Sequence, residues 1–147
     1  MPIQIEFRHE GRGVLYRCEG VLGLQQIADA NNRLLVSPGR IRKLKYAIVD
    51  ASLMEPQYFS PREMDDIVLQ DRQIASYVSP GFLVAVVAKQ SAVFGLARMW
   101  QAYIEGIGWE IDIFLSLEEV QSWIRIRVKE KVRAFLACRG GTFHPPI

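Results

Sequence analysis

The polar side chains of this 147-residue chain that could bind a ligand or take part in a reaction lie where predicted strands end and predicted helices begin. Ligands of open α/β sheets bind at the carboxyl ends of the strands, where helix N-termini also point. Arg98 lies within the predicted helix near 91–105, where it is a salt-bridged surface arginine or, as the alternative, an anion-binding group. The candidate binding or regulatory rim comprises Asp50, Ser52, Ser60, Lys89, Ser91 and Arg98.

The serines of this rim have a simpler interpretation as helix caps. Ser60 is followed by Pro61 and, three residues later, by Glu63, which is the sequence of a capping box with proline at the first helical position. Ser91 and Ser116 also precede apolar periodic stretches, and an N-cap contributes about 1 kcal/mol without any further role. Capping alone accounts for a serine at these positions. Because each serine lies at a helix N-terminus, a ligand or a phosphate group could also bind there.

The residues that usually perform catalysis are few. His9 lies beside a predicted turn and His144 near the C-terminus, and neither is expected to sit near a serine, cysteine or carboxylate in an arrangement that would make a triad. No glycine-rich phosphate loop follows a strand, and no spacing indicates a metal site or a bound cofactor. Asp50 with Lys89 is the best pair for an enzyme, but we expect the protein to be non-enzymatic. The carboxylates of the second predicted helix are expected on a solvated face: Asp65, Asp66 and Asp71.

Composition places the chain among ordinary single-domain globular proteins. Eighteen basic and sixteen acidic residues give a net charge of +2, which provides no argument for nucleic-acid binding. Cys18 and Cys138 are far apart in sequence, so neither a disulfide framework nor a zinc site is indicated, and Cys18 is expected to be a small buried residue. The start of the chain lacks an apolar signal region, and the longest apolar run, 82–88, is too short to span a bilayer. We therefore expect a cytoplasmic protein without a transmembrane segment.

Hydrophobic periodicity predicts one α/β domain. Alternating residues on both sides of a glycine turn indicate a hairpin at the start of the chain, and strands then alternate with amphipathic helices. The predicted order is β-β-α-β-α-β-α-β-α, which favours a mixed, mostly parallel sheet with right-handed crossovers. The predicted elements are strands near 3–8, 14–18, 46–50, 82–88 and 109–115, and helices near 24–35, 60–78, 91–105 and from 116 onward.

The last predicted helix is longer than a small sheet requires. An apolar stripe continues into its second half, where basic residues flank it. We therefore expect a domain at 1–124, an extension of the helix at 125–137 and a loose tail at 138–147. The extension is predicted to mediate a homodimer through Val128, Val132 and Phe135. Contact with an anionic membrane surface is the alternative for such a basic amphipathic stretch.

Several stretches together resemble the SpoIIAA-like members of the STAS domain superfamily, small bacterial proteins. They are AIVDAS after the hairpin, a capped acidic helix, then AVVA, VFGLARMW and FLSLEEVQSWI. The resemblance covers roughly residues 1–124 and implies an α/β domain used for protein–protein regulation or ligand sensing. In the anti-sigma-factor antagonists of this superfamily, phosphorylation of a serine that begins the helix after the third strand releases the partner. Ser60 is the nearest match by order, although Pro61 and Arg62 replace the residues of the family motif.

Three functions follow as hypotheses. The first is a non-enzymatic regulatory or protein–protein interaction module that self-associates. The second is a small-molecule or lipid-binding protein with an apolar pocket between helices and sheet, as the resemblance implies for related members. The third is an enzyme that uses the polar rim.

Overall fold

A hairpin opens the chain and forms one edge of a five-stranded sheet in the computed structural model, which describes residues 2–138. Strand β1 pairs antiparallel with β2, with Ile3 opposite Cys18 and Arg8 opposite Gly13. Every later pair is parallel, and the strand order is β1-β2-β3-β4-β5. The elements are β1 (Ile3–Arg8), β2 (Gly13–Gly20), α1 (Leu24–Leu35), α2 (Pro38–Arg42), β3 (Tyr46–Met54), α3 (Pro61–Ala75), β4 (Leu83–Val87), α4 (Ser91–Tyr103), β5 (Glu110–Phe114) and α5 (Leu117–Cys138).

The topology assigns the helices to opposite faces of the sheet. Parallel strands that follow one another in space require crossovers of one hand, so α1, α3 and α4 share a face. Residues from these helices and from α2 form two apolar clusters against that face, while Val120 and Ile124 of α5 form a third cluster against the other. The mixed α/β sheet with an N-terminal hairpin is therefore confirmed.

Helix α2 is the one element that was not predicted. The stretch Ser37-Pro38-Gly39 indicates the end of α1, and α1 does end there, with Val36 as its C-cap. Proline at the first position of a helix is also favourable, because its missing N–H would have no partner there and its φ is already helical. Pro38 begins a five-residue helix that buries Ile41 completely against the sheet.

Helix α5 is much longer than the strand that precedes it. Five residues of β5 span about 17 Å, whereas the 22 residues of α5 span about 33 Å. Arg127 and Lys131 both form ion pairs with Glu110, the first residue of β5. By Lys131 the helix has therefore run the full length of β5, and its last turns extend past the amino-terminal ends of the strands. Within residues 2–138, no helix combines the length and the apolar character that crossing a membrane requires.

Candidate functional site

The sheet divides the predicted rim into separate groups. Asp50 lies inside β3, not after it, and alternates with Val49 and Ala51, which face α1, α3 and α4. Its side chain therefore lies on the face covered by α5. The Asp50 Oδ1 atom accepts hydrogen bonds from the backbone N–H and the hydroxyl of Ser52, at 3.1 and 2.6 Å. These two predicted residues are brought together, but away from the helices that carry Ser60 and Arg98.

Ser60 forms the predicted cap. Its hydroxyl oxygen accepts from the Glu63 backbone N–H at 3.1 Å, and the Glu63 carboxylate accepts from the Ser60 N–H at 3.0 Å. Pro61 occupies the first helical position. Both halves of the capping box are made, so the Ser60 hydroxyl contributes to the start of α3.

The remaining rim residues are exposed, and two of them differ from expectation. Ser91 is the first residue of α4 and not its cap, since Gln90 holds that position without a side-chain hydrogen bond. Arg98 donates to Gln101 at 3.3 Å and lies over the Phe94 ring. It forms no ion pair with any residue within 2–138, so the prediction that Arg98 is salt-bridged was wrong. In the same described part of the chain, no ion pair joins Lys89 to Asp50.

A cavity of about 160 Å³ lies between the sheet and helices α1, α3 and α4. The β2–α1 and β3–α3 connections contribute Leu22 and Phe59 to its lining, which places one end of the cavity near the carboxyl ends of the strands. Most of the lining is aliphatic or aromatic, including Ile3, Met64, Ile67, Val93 and Leu96. A cavity therefore lies between helices and sheet, as the hypothesis of an apolar pocket requires. In other proteins, apolar cavities of this size can bind small apolar molecules.

Four polar side chains interrupt this apolar lining at one place. The Tyr16 hydroxyl donates to Asn31 Oδ1 at 3.2 Å, and Asn31 Nδ2 donates to Gln70 at 3.0 Å. The Trp100 indole N–H donates to Asp71 Oδ2 at 2.8 Å. We call Tyr16, Asn31, Asp71 and Trp100 the polar cluster. With Val49, the cluster also lines a second, smaller cavity, so it stands between the two.

Asp71 was expected on the solvated face of α3, and this was wrong. Its residue is only 8% exposed, whereas Asp65 and Asp66 are exposed. Burial removes water from the carboxylate and raises the pKa of Asp71 to about 7, while the Trp100 hydrogen bond acts in the opposite direction. The signal was present in the sequence, because Asp71 continues the helical spacing of Met64 and Ile67.

The other titratable groups near the cavity are held neutral. Burial raises the pKa of the Cys18 thiol to about 12, with a smaller effect of the same sign from Asp50. Burial, followed by the charge of Asp71, also raises the pKa of Tyr16 well above its usual range. The prediction that Cys18 is a small buried residue is confirmed, and a thiol in this state is a poor nucleophile. Among residues 2–138, no three His, Cys, Asp or Glu side chains approach closely enough to hold a metal ion.

The predicted self-association residues lie on the distal half of α5. Val128 is 37% exposed and Val132 is 53% exposed, and Leu136 on the same stripe is also exposed. The side chain of Phe135, the third predicted residue, and His144 lie outside what the structure describes, as does the predicted tail after Cys138. Ion pairs of Arg127 and Lys131 with Glu110 connect this part of the helix to the first residue of β5.

Comparison with known proteins supports the fold. No protein-family model and no curated protein matches the sequence. The solved structure of the anti-sigma factor antagonist SpoIIAA in its unphosphorylated form is similar to this chain, with a TM-score of 0.52 and 13% sequence identity. The match covers 85% of this chain and 97% of the SpoIIAA chain. At this identity the similarity concerns the fold, and the SpoIIAA-like fold that the sequence motifs indicated is confirmed.

Proposed function

We propose that this chain is a non-enzymatic regulatory module that acts through protein–protein contacts and associates with a second copy through the distal half of α5. The exposed apolar stripe of Val128, Val132 and Leu136 is the observation that carries this proposal. The SpoIIAA-like fold supports it, because SpoIIAA is an anti-sigma factor antagonist. The rim residues, Ser60 among them, are proposed as a contact surface for a protein partner.

The stripe has the geometry of a helix–helix contact. Val128, Val132 and Leu136 are four residues apart, so they lie on one side of the helix. The stripe extends past the edge of the sheet, where a second copy can approach without colliding with the domain. Burying a row of half-exposed aliphatic side chains removes apolar surface from water, which favours association.

We expect the Val128→Asp, Val132→Asp double variant to be monomeric where the wild type is dimeric. Two carboxylates on the stripe would have to be buried without partners in the dimer, which costs several kcal/mol. Sedimentation velocity at about 50 µM, a concentration at which a micromolar dimer is well populated, measures the difference. Ser122→Asp, at an exposed position on the first half of α5, is the matched control and should remain dimeric. A monomeric wild type at this concentration would remove the dimer from the proposal.

The cavity favours a second candidate function, the binding of a small apolar molecule. Its lining is largely apolar, its volume is about 160 Å³, and one end of it lies near the carboxyl ends of the strands, where ligands of α/β sheets bind. Such a role is compatible with regulation, because a ligand that fills a cavity stabilises the state of the protein that contains it.

Native mass spectrometry of gently purified protein tests this second candidate. We expect an additional small mass on the wild type and its loss in Ala97→Leu, because the larger side chain occupies part of the cavity that Ala97 lines. Ala102→Leu, at an exposed position of the same helix, should keep the additional mass. Spectra of the wild type that are repeatedly free of ligand would argue against a bound molecule.

A further inference from the structure

The polar cluster restricts what kind of molecule the larger cavity can bind. Around it the walls are apolar, and the lining residues include no lysine or arginine. A ligand with an anionic group would therefore meet the Asp71 carboxyl with no lysine or arginine in the cavity wall to offset its charge, since Arg33 acts on Tyr16 from outside the lining. A purely aliphatic ligand would leave buried polar atoms without partners. Both classes are disfavoured by the same four side chains.

The hydrogen bonds within the polar cluster indicate which of its donors and acceptors remain unused. Trp100 and Tyr16 each spend their single N–H or O–H donor inside the protein, on Asp71 and Asn31. Among the described residues, only Trp100 donates to Asp71, and it does so to Oδ2, so Oδ1 accepts no hydrogen bond. The Tyr16 oxygen also keeps lone pairs, since it acts only as a donor in the described contacts. Above about pH 7, where the Asp71 carboxyl is ionised, the unused hydrogen-bonding capacity of the cluster is therefore mainly that of acceptors.

Cavity size limits the ligand further. An engineered apolar cavity of about 150 Å³ in another protein binds benzene, so about 160 Å³ suits a single ring or a chain of similar volume. Tyr16 and Asp71, which carry the unused acceptors, are among the side chains that line this space.

We propose that the larger cavity binds a ring-sized apolar molecule that carries one hydroxyl group, with the hydroxyl donating to Asp71. The proposal rests on the second candidate function, ligand binding, and specifies its chemistry. The buried carboxyl is the orienting group, because its Oδ1 accepts no hydrogen bond among the described residues and an ionised carboxylate is a stronger acceptor than the Tyr16 oxygen. Burial removes water from the Asp71 carboxylate, and a ligand hydroxyl that donates to this carboxylate replaces part of the lost hydration.

Phenol and toluene are matched probes, because they share a ring and differ in one hydroxyl against one methyl group. Isothermal titration of each at pH 8 into wild type, Asp71→Leu and the exposed control Asp66→Leu gives the ratio of the two affinities. We expect Asp71→Leu to shift that ratio towards toluene by about 5- to 10-fold, the effect of one hydrogen bond. Asp66→Leu should leave the ratio unchanged.

A measurement on the wild type keeps the proposal testable if Asp71→Leu does not fold. The Trp100 indole N–H donates to the same carboxyl, so phenol should shift its proton NMR signal more than toluene does at equal occupancy. Equal shifts, or an affinity ratio unchanged by Asp71→Leu, would overturn the proposal while leaving ligand binding intact. No binding of either probe to the wild type would overturn both the proposal and the second candidate function.

Discussion

Replacing Asp71 with asparagine is expected to stabilise the protein at pH 8 by ~2–4 kcal/mol. Burial raises the pKa of Asp71 from 3.8 to about 7, and every tenfold change in an acid dissociation constant corresponds to about 1.4 kcal/mol between the two protonation states. Asparagine carries no charge in the folded or unfolded chain, and its carbonyl oxygen can still accept from Trp100. The variant therefore avoids the cost of burying the carboxylate.

The sign of this effect fixes its pH dependence. Below about pH 4 the Asp71 carboxyl is protonated in both states, so wild type and variant should differ little. From there to about pH 7 the unfolded chain is ionised while the folded chain keeps the proton, so the wild type loses stability as pH rises. Above about pH 7 the folded carboxyl ionises as well, and the loss reaches its plateau.

Urea unfolding of wild type and Asp71→Asn from pH 4 to pH 8.5 measures the difference between the two curves. The variant should gain on the wild type from pH 4 to about pH 7 and keep a constant advantage above that. Asp66→Asn, an exposed change of the same kind on the same helix, should follow the wild type at every pH. An Asp71→Asn curve parallel to that of the wild type would show that Asp71 is solvated in the folded protein.

Val120→Asp is expected to abolish the folded state, whereas Val132→Asp should change monomer stability by only about 0.5 kcal/mol. Val120 is 0% exposed and packs with Leu15 and Ile48 in the cluster that joins α5 to the sheet. A carboxylate there would be buried without a partner, at a cost of several kcal/mol, which is a large share of the stability of a small domain. Val132 is 53% exposed and follows Lys131, which pairs with the first residue of β5.

Circular dichroism during thermal unfolding, at a low micromolar concentration that limits self-association, compares the two variants. The expected result is a folded Val132→Asp and an unfolded Val120→Asp. A cooperative transition near that of the wild type in Val120→Asp would mean that α5 does not cover the sheet. A large loss of stability in Val132→Asp would mean that the distal half of the helix packs on its own domain.

The rim shows where prediction from the sequence stops. The predicted strand ends at Asp50, because the continuous apolar run ends there. In the structure β3 continues to Met54, since the long strand β2 supplies partners for it, with Gly20 opposite Met54. Asp50 therefore lies within a strand, facing α5, and the residues predicted to share one edge are separated by the sheet.

Local sequence by itself determined most of the elements of this protein, α2 and the end of β3 excepted. Alternating residues define the hairpin, helical spacing defines α1, α3 and α4, and the Ser60–Glu63 capping box starts α3 as predicted. These features arise from the backbone geometry of neighbouring residues, which a single segment can encode. The motifs also indicated the SpoIIAA-like fold, which the structural comparison supports.

Only the tertiary structure decided that Asp71 lies beside a cavity. The spacing of Asp71 on α3 is that of a buried residue, but charged residues are seldom buried without a partner, and the local sequence shows none. That partner, Trp100, is 29 positions away on α4, and the remaining polar residues come from α1 and β2. No local pattern encodes the meeting of three helices and a strand, because it depends on how the crossovers stack them against the sheet.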